Sequence, residues 1–443
     1  MKSKSFLIAL AAAAALSILS SAPAVTLETA LDTTLEKNPA IQQAKLNLEQ
    51  AAGRRLVLRS IMWPTARIGV PAGVQGGDRA GESSTKVFAF ARGSFLQPLF
   101  NAAIPPSRRL GDVDLLIAQQ QLNVAVVEQL HTARLAFYTA LYNRGLQSIR
   151  EKQRTHLEEN VASQKDRYEA GLANRGAFTS ATVQARELDS QIESAQRALG
   201  EAQLNLAATM GGDLGSESSL PDPEGQLQFA PLTVDLRSET AVALERRADI
   251  QLARLVVRAA NEDQRIIEAG YYPIVAAEVT GDYIPVSGIH REGSTSRTQD
   301  FLSSELREGA LYTWRLIDNG KVAGAARKQR ETREINQVAC RKLEANLGAE
   351  LLRIRNNLEA LEARQKSLVT AAGAADENVV AVQQNLSGGL ASALEYRLAE
   401  SASLKTKSGL LEASYQHNLA VAEWERATGR YFQFSEDTAR NLH

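Results

Sequence analysis

The stretch Leu386-Ser387-Gly388-Gly389-Leu390-Ala391-Ser392-Ala393-Leu394-Glu395 decides the fold, because it is the one sharp break in a proline-free run from Lys321 to Thr428. Before it, Leu347, Leu351, Ile354, Leu358, Leu361 and Leu368 step by 4, 3, 4, 3 and 7. After it, Leu390, Leu394, Arg397, Ser401, Leu404, Ser408, Leu411 and Tyr415 keep the alternation of 4 and 3. Such spacing marks heptad seams. The run predicts a helical hairpin, one arm from Lys321 to about Leu386 and the other from Leu390 to Thr428. At about 1.5 Å of rise per residue the first arm would reach about 100 Å. An arm of that length implies a coiled coil, a helical barrel or a tube rather than an ordinary compact domain. Arg397, Ser401 and Ser408 in the second seam predict helix packing on helix, but not a dry two-stranded zipper. Gly388 and Gly389 suit the turn because glycine takes positive φ without a steric penalty.

The same design occurs earlier in the chain. A helix from about Pro106 to Ala170 carries Val126, Leu130, Ala133, Phe137 and Ala140 at heptad spacing, and Gly171 breaks it. A second arm, from about Ala177 to Met210, carries Leu188, Ile192, Ala195, Leu199, Ala202 and Leu206. Ahead of each hairpin lies an extended stretch. Residues 65–101 read as a β-hairpin with a polar, Gly-rich loop from Gly73 to Glu82; residues 274–318 read as a second, with a longer loop from Pro285 to Thr298. Ahead of each strand pair lies a helix: Asn38-Pro39 opens one as cap and first helical residue, and it stops at Trp63-Pro64. Ile41-Gln42-Gln43-Ala44 recurs 209 positions later as Ile250-Gln251-Leu252-Ala253, and Gly171 recurs 218 positions later as Gly389. Internal duplication is the main organising fact.

The expected organisation follows. Residues 1–24 are a signal peptide, with Lys2 and Lys4 before an apolar run from Phe6 to Leu19 and cleavage after Ala22-Pro23-Ala24. Residues 25–237 form repeat 1, with its helix, β-hairpin 65–101, helical hairpin 104–211 and linker 212–237. Residues 238–429 form repeat 2, with its helix, β-hairpin 274–318 and helical hairpin 321–429. Residues 430–443 are a polar tail, read as extended or disordered. No Cys follows the cleavage site, so no lipid anchor is expected there. The protein is expected to be exported, and any membrane span to be made of strands, since no later segment has about 20 consecutive apolar residues.

Composition narrows the function classes. The 443 residues carry 50 basic and 51 acidic side chains, for a formal net charge of −1, so global charge gives no argument for nucleic acid. Aromatic residues make up 5 %, which with abundant Ala, Leu, Gln, Glu and Arg fits long helices. Cys340 is the single cysteine and reads as a small buried helix residue. His131, His156, His290, His417 and His443 lack metal-ligand spacing. Neither a phosphate-cradling Gly-Lys motif nor a nucleophile elbow occurs. No catalytic, cofactor or metal site is expected, and the chain does not read as an enzyme.

Four strands per chain cannot close a barrel, which takes about eight. Strands in lipid can leave no free edge. Membrane strands here would therefore have to be shared among several copies, and three copies would supply twelve.

At this point the residues resemble a family. Asn38-Pro39-Ala40-Ile41, with Ala44 and Ala51-Ala52, ending at Trp63-Pro64, is similar to the N-terminal repeat of the TolC-type outer-membrane efflux proteins. Arg247-Ala248-Asp249-Ile250, ending at Tyr271-Tyr272-Pro273, resembles the second repeat, and Trp314-Arg315-Leu316-Ile317-Asp318-Asn319-Gly320 the exit from the last strand. Arg167-Tyr168-Glu169-Ala170-Gly171-Leu172 and Gly389-Leu390-Ala391-Ser392-Ala393-Leu394-Glu395 resemble its hairpin turns. The resemblance spans essentially the whole mature chain.

The resemblance implies a mainly α fold with a small β part: a homotrimer with a shared 12-stranded outer-membrane barrel in lipid and a periplasmic α-barrel of twelve helices. It implies passive export of small molecules or polypeptides, in efflux or type I secretion, driven by an inner-membrane pump through a periplasmic adaptor. The turns at Gly171, Gly388 and Gly389 would face the adaptor. Glu395 matches the first acidic position of the family's constriction; the second falls on Leu398, and the matching place in the first hairpin is Ala177. Arg175 and Arg397 lie near the same tips and are candidates for inter-helix salt bridges, though surface charge is the simpler reading. A non-channel periplasmic adaptor or scaffold is the alternative; two hairpins and no long β-rich segment argue against it.

Overall fold

In the computed structural model, residues 24–79, 82–172, 174–212, 220–233, 235–283 and 304–430 are described. The expected signal peptide up to Pro23, the loop expected at Pro285–Thr298 and the tail beyond Arg430 lie outside them.

The order is β1 (Ala24–Val25), α1 (Leu27–Lys37), α2 (Pro39–Ser60), β2 (Thr65–Gly69), β3 (Ala72–Arg79), β4 (Glu82–Ala89), β5 (Ala91–Phe100), α3 (Ile104–Glu169) and α4 (Arg175–Thr209). There follow β6 (Asp222–Pro223), α5 (Leu236–Arg246), α6 (Ala248–Glu268), a short 3-10 turn, β7 (Ile274–Tyr283), β8 (Ser304–Thr313), α7 (Lys321–Ser387) and α8 (Ala393–Ala427). Corresponding helices match in length: α1 and α5 have 11 residues each, α3 and α7 have 66 and 67, and α4 and α8 have 35 each.

The chain divides into two compact units. One comprises the chain up to Lys45, Gln121–Asp249 and everything from Glu344 on; the other comprises Leu46–Gln120 and Ile250–Leu343.

In the first unit, Phe137, Ala140 and Leu141 of α3 pack on Ala202 and Leu206 of α4, closed by Val25 and Ala30. Beside them Val126, Leu130 and Ala133 meet Leu31 and Ile41. The seams read for α3 and α4 are thus the buried faces. On α7, Leu347, Leu351 and Leu358 are buried, and Cys340 is buried as expected. On α8 the expected seam is not the buried face. Leu390 and Leu394 are exposed, whereas Ala399, Ser403, Ala413, Ser414, His417 and Ala420 are buried. Small residues let α8 lie close against its neighbours. Gly145 of α3 shows how close: a Cβ there would stand 2.9 Å from Leu411 Cδ2.

The linker after α4 has structure of its own, because β6 pairs in parallel with β1, Ala24 opposite Asp222. Further along, Asn418 Nδ2 donates to Gln228 O at 2.9 Å, and the Leu232 amide donates to Glu362 at 3.0 Å.

In the second unit, four strands form an antiparallel sheet in the order β2-β5-β7-β8. The join between the two halves of the chain is the β5–β7 ladder, where Arg92 stands opposite Asp282 and bonds to it at 2.7 Å. The stretch Gly73–Glu82, expected to be a loop, is mostly a ladder: β3 pairs with β4 from Ala72↔Ala89 to Arg79↔Glu82. Glycine and serine remove the side-chain alternation by which a strand is read, but they leave the backbone groups that pair. The helical part of this unit buries Leu110 and Val113 of α3 against Ala259 of α6.

Candidate functional site

Among the described residues the four-stranded sheet has no buried face of its own. Of the residues in β2, β5, β7 and β8, Ala276 alone is buried. Ile68, Leu306 and Tyr312 are exposed, at 86, 67 and 60 %. Both edge strands, β2 and β8, lack a second partner among the described residues. Such a sheet keeps apolar side chains and unpaired backbone groups in contact with its surroundings.

The two strand-to-helix exits follow one pattern. Asn101 Oδ1 accepts from the Ala103 amide at 2.9 Å ahead of α3. Asp318 accepts from Gly320 at 2.9 Å and Val322 at 2.8 Å ahead of α7. These amides hold the Asp318 carboxyl below the usual aspartate range. An asparagine or aspartate that caps its own turn is suited to this position.

The hairpin turns, both in the first unit, also share one geometry. Gly171 has φ +74° and Gly389 has φ +71°. The Leu172 amide reaches Arg167 O at 2.7 Å, as Leu390 reaches Asn385 O at 2.7 Å; Gly171 bonds Tyr168 O at 3.0 Å, as Gly389 bonds Leu386 O at 3.1 Å. This is the Schellman closure, which places each glycine one residue past the helix cap. Gly388 sits inside the last turn, bonded to Gln384 O, and does not take positive φ. Asn174 and Ser392 then cap α4 and α8, three residues after each glycine.

Glu395 completes that cap. Its carboxylate accepts from the Ser392 amide at 2.7 Å and from the Ser392 hydroxyl at 3.1 Å, while its own amide donates to Ser392 Oγ at 3.2 Å. The Ser392 amide first, and the hydroxyl second, hold the Glu395 carboxyl below the usual glutamate range. The group is exposed and ionised at neutral pH.

Arg175 and Arg397 form no ion pair among the described residues. Arg175 is exposed. Arg397 is half-buried, and its pKa is lowered by that burial and by Arg167 nearby. The carboxylates that tie α8 to other helices lie further along. Glu400 reaches His156 Nδ1 of α3 at 3.4 Å, and Asp376 of α7 takes Ser403 Oγ at 2.5 Å and Lys407 Nζ at 2.9 Å.

Sequence reading missed a charged cluster in the first unit. Arg247 is buried and bonds both oxygens of Asp249, at 3.0 and 2.7 Å, and Glu350 at 2.6 Å. Arg426 binds Glu423 at 2.6 Å, Glu128 at 3.3 Å and Glu350 at 3.4 Å; Glu423 also meets His131 Nε2 at 3.1 Å. The hydrogen bonds from His131 and Arg426 hold the Glu423 carboxyl down at about 2. The Arg247-Ala248-Asp249 motif held the signal, but its partners Glu350 and Arg426 are far away in sequence. A cluster so bonded has the form of a structural clasp between α3, the α5–α6 junction, α7 and α8.

Solved structures share this fold of long paired hairpins and a four-stranded antiparallel sheet. The fold matches the outer membrane protein VceC of Vibrio cholerae at 17 % identity and TM-score 0.74, over 91 % of this chain and 96 % of that one. It matches the outer membrane channel CmeC of Campylobacter jejuni at 13 % identity and TM-score 0.79, over 94 % and 88 %. It also matches the open-state outer membrane channel MtrE of Neisseria gonorrhoeae at 17 % identity and TM-score 0.70, over 91 % and 88 %. The chain has the fold of these outer-membrane proteins. No protein-family profile and no curated protein matches its sequence.

Proposed function

We propose that the chain is the exit duct of an export system: an outer-membrane channel formed by three copies, each giving four strands to a twelve-stranded barrel and two hairpins to a helical wall. The observation that carries this reading is the four-stranded sheet, which carries exposed apolar side chains and, among the described residues, unpaired edges. A sheet of that kind is poorly suited to water as a single chain, and sharing a closed barrel in lipid satisfies both its edges and its apolar side chains. The fold likeness to outer-membrane channels supports the same reading, as does the matched order of elements in the two halves.

Transport through such a duct is passive. An inner-membrane pump drives it through a periplasmic adaptor, and the turns at Gly171 and Gly388-Gly389 are the adaptor contacts. Three copies of Glu395 at the narrowest point would form a ring of carboxylates that favours cations. Arg175 and Arg397 set the field around it.

The test is conductance across a planar bilayer by protein purified as a detergent-stable trimer. A monomer that is released by osmotic shock and makes no pores would overturn the proposal in favour of a periplasmic scaffold.

A further inference from the structure

Next to the first residue of β7 lies a groove of about 380 Å³, lined by Pro106, Arg109, Arg265, Glu268, Tyr271 and Tyr272 among others. Its charges are arranged unevenly. One buried carboxylate, Glu262, holds both guanidinium groups: Arg109 Nε at 2.9 Å and Arg265 Nη1 at 3.1 Å. Each arginine bonds it through one nitrogen, and both arginines line the groove. Arginine forks of this kind match phosphate oxygens well. The same groove contains an anion, Glu268, whose Oε1 accepts from Gln264 at 2.7 Å. Two guanidinium groups against Glu262 and Glu268 leave no net charge. A simple anion would satisfy the arginines and leave Glu268 opposed.

The groove's position narrows the ligand further. Tyr271 and Tyr272 are exposed, and so are Trp63, Phe100, Tyr312 and Trp314. The sheet register brings them to one end: Val275 stands opposite both Phe100 and Tyr312, and Ile274 opposite Thr313. Trp314 Nε1 donates to Tyr271 O at 3.2 Å. Tryptophan and tyrosine collected at one end of a sheet are the mark of a membrane–water interface, where one edge of each ring is dry and the other wet. Ile274 and Leu311, exposed on one face of β7 and β8, continue the apolar surface along the strands.

We propose that this groove binds the phosphoethanolamine headgroup of a membrane phospholipid. The phosphate lies on Arg109 and Arg265, the primary ammonium on Glu268, and the acyl chains run along Ile274 and Leu311. The zwitterion matches both signs in the groove. A phosphoglycerol headgroup lacks the cation, and a phosphocholine headgroup carries one that cannot donate a hydrogen bond to Glu268. This inference rests on the proposal that the sheet lies in a membrane, and it adds the lipid class and the residues that select it.

The experiment is native mass spectrometry of the detergent-purified full-length oligomer, incubated with dioleoyl lipids that differ only in carrying phosphoethanolamine, phosphoglycerol or phosphocholine. Retention of the phosphoethanolamine lipid should exceed that of the other two by about tenfold, the scale of one charge-assisted hydrogen bond. Glu268→Gln should remove that preference and move it to phosphoglycerol, because the groove becomes net positive. Arg265→Gln, which leaves Glu262 its bond from Arg109, should weaken retention of both phosphoethanolamine and phosphoglycerol lipids. Equal retention of all three lipids by the unaltered protein would overturn the inference, as would an unchanged ranking in Glu268→Gln or a groove closed to lipid by a neighbouring copy. Planar-bilayer conductance on the same preparation separates the two proposals. Pores without headgroup preference remove the lipid site alone, whereas a preparation with neither pores nor trimers removes the membrane reading.

Discussion

Gly388 and Gly389 are adjacent and do different work. At Gly389 the positive φ excludes an ordinary side chain by backbone conformation, although the space around it is open. Gly389→Ala should therefore lower stability by about 1–2 kcal/mol, and Gly171→Ala by a similar amount. Gly388→Ala, without positive φ and with its nearest atom at 3.6 Å, should be neutral or slightly stabilising. Thermal melts of the three variants check this; equal losses at 388 and 389 would refute it. The sequence located the turn because glycines are legible. It could not say which glycine of the pair takes positive φ, since that depends on which backbone amide closes the last turn.

Glu423 gives a pH dependence at the same scale. Its carboxyl titrates at about 2 in the folded chain against 4.5 ordinarily. The unfolded chain therefore takes up a proton below about pH 4.5 that the folded chain resists until about pH 2. The stabilisation is present above that window and is lost as pH falls through it. Because the side chain is 36 % exposed, screening reduces the contribution to about 1–2 kcal/mol. Glu423→Gln should be less stable at pH 7 by about that amount, and its stability should fall less steeply between pH 5 and 2. Parallel slopes for the two proteins would mean that Glu423 is not a linked group. No local pattern marks this residue, whose partners come from α3 and α8 together.

At the scale of elements, heptad spacing made α3, α4 and α7 legible, and it misplaced the buried face of α8. Leucines draw attention as seam residues, but α8 buries Ala399, Ser403, Ala413, Ser414 and Ala420, together with His417 and Trp424. One leucine of the expected seam, Leu411, does pack on α3, because Gly145 removes a Cβ there and lets it approach. Gly145→Ala should cost about 1–3 kcal/mol, the usual range for overpacking. Leu411→Ala alone should also destabilise, by about 2–3 kcal/mol. The double variant should lose less than the sum, because the new methyl group enters the space that Leu411 vacates. Urea denaturation of the four proteins yields the coupling, and strict additivity would show that the two residues do not touch. The strand pair β3–β4 was legible only in part, since the hairpin was read at 65–101 but its Gly-rich stretch from Gly73 to Glu82 read as a loop, while the backbone pairs from Ala72↔Ala89 to Arg79↔Glu82.

For the whole molecule, the order of elements in the two halves was legible at the turns, where glycine breaks each helical run: Gly171, Gly211, Gly389 and Gly429, which close α3, α4, α7 and α8, all take φ between +71° and +74°. The proposed association of three copies is not encoded locally, and the sensitive place to test it is Glu395. In the single chain its carboxylate is part of the α8 cap, bonded to Ser392. In a threefold duct three such carboxylates would come together at the constriction. Alanine at this position confounds the two roles, because it removes the charge and also weakens the cap, by about 0.5–1 kcal/mol. Glutamine separates them, since a Gln at the third helical position still accepts from the cap amide. Glu395→Gln should therefore melt within about 0.5 kcal/mol of the parent, assemble normally, and lose most of the cation preference of the pore in reversal-potential recordings under a salt gradient. Glu395→Ala should show the same loss of selectivity with a lower melting point. If Glu395→Gln keeps the selectivity of the parent, the residue is a cap and nothing more, and the constriction has to be sought among the other carboxylates of α8 and α7. Glu400 and Asp376 are the first of these, because both already bridge from one helix to another.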